Sequence, residues 1–188
     1  MILLDTNVIS ETMRERPDPA VRAWLRQYPR AEVWTASVVL AELLAGIESM
    51  FAGRKQQALR ETVEDMVVDD FYGQIFPFNV AAARRYAQIL ATRQRIGRPI
   101  REMDAQIAAI ACVHGATLVT RDVDDFVNCN LTVVNPWEKQ KQPWLPRLRR
   151  FFHLRLHLSR RKRGPRGCPG CERDPHQNGS GAGQLCIR

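Results

Sequence analysis

Four acidic residues of this 188-residue chain stand where acids are hard to explain structurally. Asp5 and Asp122 follow apolar, β-prone runs, and Glu42 and Asp104 lie in apolar stretches with helical spacing. Four carboxylates brought together repel one another unless a cation neutralises them or some of them take up protons. Oxygen ligands of this kind suit Mg²⁺ or Mn²⁺, which activate a bound water and stabilise the charge that develops on a phosphodiester. If the fold gathers them, the four acids predict a metal-dependent hydrolase.

Each acid also has a structural interpretation when it is taken alone. Asp104 can cap its helix, and Asp5 and Asp122 can start Asx-turns. Glu42 needs a partner such as an arginine, because burying an unpaired carboxylate is costly. Asp124 and Asp125 are typical of a solvated turn, although one of them can face the metal. The structural interpretation requires four separate coincidences, so the metal site is the stronger hypothesis.

Other hydrolytic chemistries lack candidates in residues 1–138. This part of the chain contains one histidine, His114, which we expect to pack or cap near a helix end. A two-histidine ribonuclease mechanism and a Ser-His-Asp triad therefore lack candidates there, and no Gly-rich phosphate loop is present.

The elements that must position the acids follow from the hydrophobic pattern. Short apolar runs alternate with helical spacings, which predicts βαβ units and a parallel sheet covered on both faces. We predict strands at 2–4, 32–36, 75–78, 117–120 and 131–134, and helices at 17–28, 38–47 with Ser37 as cap, 55–66, 80–95 and 105–114, with Gly115 ending the last. Ligands gather beyond the carboxyl ends of such strands. Asp5, Asp104 and Asp122 should meet at this edge, and Glu42 reaches it if its helix packs across the crevice.

The formal net charge of +8 suggests nucleic-acid binding, but the charge is unevenly distributed. Residues 139–188 contain 13 Lys+Arg and 2 Asp+Glu, a net charge of +11, whereas residues 1–138 contain 15 and 18, a net charge of −3. We therefore expect a single domain over residues 1–138, followed by a basic, low-complexity and disordered tail that is not an independent domain. The functional argument rests on the acids rather than on the basic charge.

Localisation and cysteine usage are those of a cytoplasmic protein. The N-terminus lacks the basic region of a signal peptide, and no apolar stretch approaches the roughly 20 residues that span a bilayer, so no membrane role is expected. Cys112 and Cys129 are expected to be reduced. Cys168, Cys171 and His176 have the spacing that begins a zinc knuckle, but the Gly/Ser-rich sequence after them offers no folded support, so we expect no zinc site.

An ordered set of motifs is similar to a known family. The set runs Leu3-Leu4-Asp5-Thr6-Asn7-Val8-Ile9-Ser10, Ala41-Glu42-Leu43 with Gly46, Asp104-Ala-Gln-Ile-Ala-Ala109, Thr120-Arg121-Asp122 with Asp125-Phe126, and Asn135-Pro136-Trp137. It resembles a PIN domain, nearest to the VapC and FitB-like toxins, over residues 1 to about 138. The resemblance implies a three-layer α/β/α sandwich around a central parallel sheet. It also implies a Mg²⁺- or Mn²⁺-dependent endoribonuclease, the toxin of a type II toxin–antitoxin pair.

The resemblance also implies residue roles and partners. Asp5, Glu42, Asp104 and Asp122 match the catalytic acids: Asp5, Asp104 and Asp122 would hold the metal, and Glu42 would be a ligand or position the attacking water. Thr6 matches a polar residue that supports the metal-bound water. Many relatives have Asn at the position of Asp122 and an acid at that of Asp125, so either residue can be the fourth ligand, and we favour Asp122.

The implied reaction is an in-line displacement on RNA that leaves a 5′-phosphate and a 3′-hydroxyl. The implied partners are a second copy of the chain in a homodimer and a cognate antitoxin, through which alone operator DNA is contacted.

Two alternatives to the nuclease stay open at the level of sequence. The chain can be a non-catalytic partner in a DNA-bound antitoxin regulatory complex, or the acids can bind a structural cation only. Six arginines near Asp104 in sequence either contact phosphate or form a solvated helix face: Arg84, Arg85, Arg93, Arg95, Arg98 and Arg101.

Overall fold

The computed structural model describes residues 1–138 as short strands that alternate with helices. The expectations for the tail and its cysteine–histidine motif lie outside the described residues. The strands are β1 (Ile2–Leu4), β2 (Val33–Ala36), β3 (Ile75–Phe76), β4 (Thr117–Val119) and β5 (Val133–Val134). The helices are α1 (Thr6–Thr12), α2 (Pro19–Leu25), α3 (Ser37–Glu48), α4 (Arg54–Asp65), α5 (Val80–Arg95) and α6 (Glu102–His114).

The five strands form one parallel sheet in the order β3-β2-β1-β4-β5. All three residues of β1 are buried. Because successive side chains of a strand point to opposite faces, helices must cover both faces of the sheet. The predicted three-layer α/β/α architecture is confirmed.

The strand order reverses between β1 and β4. The chain starts in β1, adds β2 and β3 on one side, and then crosses to β4 and β5 on the other. Leu3 pairs with Leu118 and Leu4 with Val119, so the two strands end level with each other. The carboxyl ends of strands at such a reversal form the crevice in which parallel α/β sheets bind ligands.

The predicted cap of α3 is wrong, and the structural alternative for Asp104, a helix cap, is not observed. Ser37 is the first residue of α3 rather than its cap, and its hydroxyl oxygen accepts the Phe78 backbone N–H at 3.2 Å. The last helix begins at Glu102 rather than after Asp104, and its capping position is Arg101, so Asp104 lies within the first turn. The Asp104 carboxylate is therefore available for contacts other than a cap.

Helix α6 is the buried support of the site. Its residues Ile107, Ala108, Ala109, Ile110 and Ala111 are completely enclosed, and α5 packs along it. It ends at Gly115, whose φ of 60° is left-handed, which confirms the predicted stop.

The ends of this core also match the sequence analysis. His114 stacks on the Phe76 ring, with centroids 3.7 Å apart, which confirms its packing role. Cys112 and Cys129 are free thiols, as expected. No helix among residues 1–138 combines the length and apolar character needed to cross a membrane.

Candidate functional site

Asp5 is the buried centre of the acidic site. It follows β1 directly, caps α1, and only 5% of its surface is exposed. Its Oδ1 accepts the Thr6 backbone N–H at 2.8 Å, and its Oδ2 accepts the Thr120 hydroxyl at 2.6 Å. Burial raises the pKa of Asp5 to about 6, the hydrogen bonds from Thr120 and Thr6 oppose this, and the charges of Glu42 and Asp104 add to it. Asp5 therefore carries its charge at neutral pH against a desolvation cost.

Asn7 and Thr120 connect Asp5 to the loop after β4. The Asn7 Nδ2 lies 3.0 Å from Asp5 Oδ2, 2.8 Å from Thr120 Oγ1 and 3.2 Å from Asp122 Oδ2. The hydroxyl of Thr120, which is completely buried, donates to Asp5 and accepts the Asp122 backbone N–H at 3.1 Å. One amide group thus holds Asp5 and Asp122 side by side across the β1–β4 boundary.

Glu42 reaches the site from the second turn of α3. The Thr6 hydroxyl donates a hydrogen bond to its Oε2, which joins α3 to the start of α1. No arginine among the described residues forms an ion pair with Glu42. The arginine partner that would explain this acid structurally is therefore not found in residues 1–138. The partner of Glu42 is instead the Thr6 hydroxyl.

Asp104 meets Asp125 through an arginine. Arg101 Nε donates to Asp104 Oδ2 at 2.8 Å, and its Nη2 donates to Asp125 Oδ2 at 3.1 Å. Burial raises the pKa of Asp104, the Arg101 hydrogen bond and charge lower it, and the charges of Asp125 and Glu42 raise it again. Asp104 therefore shares one electrostatic site with Asp5, Glu42 and Asp125.

Asp122 lies at the exposed rim of this site. It precedes the short 3₁₀ turn Val123–Phe126 without capping it by its side chain. Its carboxylate accepts from Asn7, and none of the ion pairs within residues 1–138 includes it. The structure thus connects Asp122 to Asp5 and Asp125 to Asp104.

A third buried acid, Glu11, supports the site through Arg121 and was missed in the sequence. It is 4% exposed, accepts the Asp18 backbone N–H at 2.9 Å, and pairs with Arg14 at 3.1 Å and Arg121 at 3.5 Å. The guanidinium of Arg121 also stacks over Trp137, 4.1 Å from the ring centroid. These contacts fix the backbone that presents Asp122.

Asn7 and Thr120 were also missed as site residues. Their position in the sequence could have identified them. Each is a hydrogen-bonding residue within two residues of a predicted acid at the end of a strand. In the sequence, Arg101 is one of six arginines near Asp104, and no motif distinguishes it from the other five.

The donor chemistry fits a hard divalent cation. The acids come from four elements and present only oxygen ligands. Neighbouring acids raise the pKa of Asp5 and of Asp104, and this repulsion is what a bound cation relieves. Within residues 1–138, however, no three Asp, Glu, His or Cys side chains stand close enough to hold one metal ion together. The carboxylates instead contact Thr6, Asn7, Arg101 and Thr120.

A surface depression borders the acids without being lined by Asp5, Glu42 or Asp104. It is open, encloses about 510 Å³, and lies between the loop after β4 and the end of β5. Its lining includes Asp122 and Asp125. The depression therefore gives Asp122 and Asp125 access to solvent, but it does not mark the position of Asp5, Glu42 and Asp104.

Comparison with known proteins gives a consistent family match. The family model for the PIN domain matches residues 2–128. The plasmid stability protein StbB of Pseudomonas syringae pv. tomato is 39% identical over 138 residues, covering 73% of this chain and 99% of StbB. The VapC ribonuclease Y4jK of Sinorhizobium fredii is 37% identical over 138 residues, with the same coverage of 73% and 99%. The toxin FitB of Neisseria gonorrhoeae is 39% identical over 137 residues, again covering 73% and 99%.

A solved structure of FitAB bound to an IR36 DNA fragment contains a chain with the same fold. It superposes with a TM-score of 0.69 at 38% identity, covering 74% of this chain and 98% of that one. The family model covers every strand and helix that carries one of the acids. Of the sheet, only β5 lies beyond its last matched residue, 128.

Proposed function

This chain belongs to the PIN-domain family, and we propose on that premise that it is a divalent-metal-dependent endoribonuclease, the toxin of a type II toxin–antitoxin pair acting in the cytoplasm. A VapC ribonuclease and the toxin FitB are among its relatives at 37% and 39% identity. Both are matched over 99% of their length, so the likeness extends to the whole of each relative.

The observation that carries the proposal is the electrostatic coupling of Asp5, Glu42 and Asp104. The charges of Glu42 and Asp104 raise the pKa of Asp5, although the three residues follow or lie in separate elements. Keeping such a group charged near neutral pH lowers the stability of the fold, and groups of this kind are concentrated at functional sites. Their place at the β1–β4 reversal is where a parallel sheet binds ligands.

The proposed ligands of Mg²⁺ or Mn²⁺ are Asp5, Asp104 and Asp122, with Glu42 and Asp125 as further candidates. When bound, the ion would lower the pKa of a coordinated water and neutralise charge on the phosphodiester. Asn7 and Thr120 fix the orientation of Asp5, since each donates to its Oδ2. In the reaction the water oxygen bonds to phosphorus, the bond from phosphorus to O3′ breaks, and the departing O3′ takes up a proton.

Glu42 is proposed to position the attacking water or to serve as a ligand. The Thr6 hydroxyl donates to one of its carboxylate oxygens, which leaves the other oxygen to accept from a water. Thr6 is therefore a positioning residue in this proposal.

The test is cleavage of a mixed RNA pool by Asp104→Asn, with Glu102→Gln as the matched control. Both residues lie in the first turn of α6, and Glu102 is exposed. Cleavage by the parent in Mn²⁺ should stop in EDTA. It should fall at least ~100-fold in Asp104→Asn, because even an indirect support of a metal ligand typically costs 10–100-fold. Glu102→Gln should cleave as the parent does.

Undiminished cleavage by a folded Asp104→Asn would remove Asp104 from the active site. Absence of cleavage by the parent under every metal condition would leave the second candidate function, a non-catalytic partner in a DNA-bound regulatory complex. That candidate is favoured by the similar FitAB structure, which is bound to DNA.

The proposed partners are an RNA substrate, a second copy of the chain and a cognate antitoxin, with operator DNA contacted only through the antitoxin. The likeness to FitAB bound to DNA supports the antitoxin and the DNA. Asp104→Asn should still bind antitoxin and operator DNA in a mobility-shift assay, because its substitution leaves the surface outside the acidic site unchanged.

A further inference from the structure

Arg101 places a cation where the acidic site needs one. Its guanidinium joins a carboxylate of α6 to a carboxylate of the loop after β4, with distances of 2.8 Å to Asp104 and 3.1 Å to Asp125. The two carboxylates are 21 residues apart in sequence and repel each other, since the charge of Asp125 raises the pKa of Asp104. A guanidinium that bridges the two carboxylates offsets that repulsion.

Three other arginines near Asp104 in sequence do not contact the acids of the site. Arg93 is buried and donates to the Val127 carbonyl, and Arg85 donates to the Cys129 carbonyl at 3.4 Å. Within residues 1–138, Arg98 forms no ion pair, although it lies three residues from Arg101. The position of Arg101 is therefore specific to the acids rather than a property of a basic helix face.

Arg101 is also able to leave. Its side chain is 73% exposed, in contrast to 11% for that of Asp104. The side chain makes no hydrogen bond that caps α6, so the helix does not require it in this position. The Arg101 Nε donates to Asp104 Oδ2, so a divalent ion that takes Asp104 as a ligand must share this carboxylate with the positive guanidinium, which repels it.

We propose that Arg101, held in place by Asp125, is an internal cation that competes with the divalent ion for Asp104, and so sets the metal concentration at which the site fills. The proposal rests on the proposed metal site. In metal-free protein Arg101 holds the two carboxylates together, and it is displaced towards solvent when the ion binds. Competition of this kind lowers the apparent metal affinity by the free energy of the Arg101 contacts.

The test is calorimetric titration of Mn²⁺ alone into the full chain after treatment with EDTA and dialysis. Arg101→Met keeps the aliphatic stem and removes the cation, and it should bind Mn²⁺ roughly tenfold more tightly than the parent. Arg98→Met loses the same charge in the same segment without a contact to the acids, and it should bind as the parent does. Arg101→Lys keeps the charge and should stay within about threefold of the parent.

A second readout separates competition from a general change of surface charge. Without metal, Arg101→Met should unfold at a lower temperature than the parent, because Asp104 and Asp125 lose their shared partner. Saturating Mn²⁺ should remove the difference. Arg101→Gln is the substitute if Arg101→Met does not fold.

Mn²⁺ affinity in Arg101→Met that equals or falls below the parent's, or absence of Mn²⁺ binding in both proteins, overturns the proposal. An equal gain in affinity in Arg98→Met also overturns it, because the effect is then one of net charge. The Mn²⁺ titration tests the role of Arg101, and the RNA assay tests the nuclease separately. A gain in affinity without any cleavage supports the role of Arg101 and contradicts the nuclease, whereas cleavage with unchanged affinity does the reverse.

Discussion

Asp5 combines a buried position with hydrogen bonds that hold its charged form. Donors from Thr6, Asn7 and Thr120 surround it, and still burial and the neighbouring acids raise its pKa to about 6. The hydrogen bonds therefore offset only part of the desolvation cost. Such a residue is destabilising in the metal-free protein at neutral pH and becomes favourable when a cation is near.

The raised pKa predicts how stability depends on pH in EDTA. Protonated Asp5 is favoured in the folded state, so its contribution is fully present below pH 3.8 and is lost as the pH rises through about 6. The difference corresponds to about 3 kcal/mol of unfolding free energy. Relative to the parent, Asp5→Asn should become more stable by up to about that amount between pH 4 and pH 7.5.

Urea unfolding of both proteins at several pH values measures this change. Asp124→Asn removes an exposed carboxylate near the site, and its stability relative to the parent should change little over the same range. A constant difference between Asp5→Asn and the parent would show that Asp5 does not titrate as the structure indicates.

At the scale of elements, the loop after β4 presents two acids with different partners. Asp125 has a cation in Arg101, whereas the carboxylate of Asp122 has, among residues 1–138, only the Asn7 amide, which it shares with Asp5. An acid without a cationic partner in the metal-free site gains most from a bound ion. We therefore expect Asp122, rather than Asp125, to be the fourth ligand.

Cleavage by three variants of this loop tests the assignment. Asp122→Asn should lose at least ~100-fold in activity, as expected for a ligand. Asp125→Asn should lose less, because it removes a partner of Arg101 but no ligand, and Asp124→Asn should be active. A larger loss in Asp125→Asn than in Asp122→Asn would exchange the two roles.

The elements themselves were largely predictable, because strands and buried helices follow from local hydrophobic patterns. The position of Asp5 after β1 and of Asp122 after β4 came from the same patterns and a general rule for parallel sheets. The wrong prediction for Ser37 concerns a side chain whose partner is distant in sequence. Ser37 has the sequence of a cap, but its hydroxyl binds Phe78, 41 residues away. Rules that use only neighbouring residues cannot predict such a partner.

Arg101 shows where sequence reasoning can be extended. Its contact with Asp104 is an i,i+3 pair, which helix spacing can predict. Its contact with Asp125, 24 residues away, depends on the crossing of α6 and the β4 loop, which only the fold reveals. The same holds for Asn7, whose contacts with Thr120 and Asp122 span more than 100 residues.

At the scale of the whole molecule, the net charge of +8 separates into an acidic part, which contains the candidate site, and a basic remainder. The acidic part, residues 1–138, contains the sheet and all of the acids discussed. Curated relatives of this part match it over 99% of their own length. We therefore propose that residues 1–138 are the complete catalytic domain.

Truncation tests this proposal. The chain ending at Glu138 should unfold within about 2 °C of the full chain and cleave RNA equally at ~150 mM salt, where screening weakens the contribution of basic residues to RNA binding. Ending the chain at Thr132 should lower the melting temperature further, because it removes β5 and the Trp137 ring beneath Arg121. Circular dichroism and the RNA assay measure both chains. Loss of folding or cleavage on truncation at Glu138 would show that the domain extends into the basic segment, whose charge of +11 would then contribute to binding RNA.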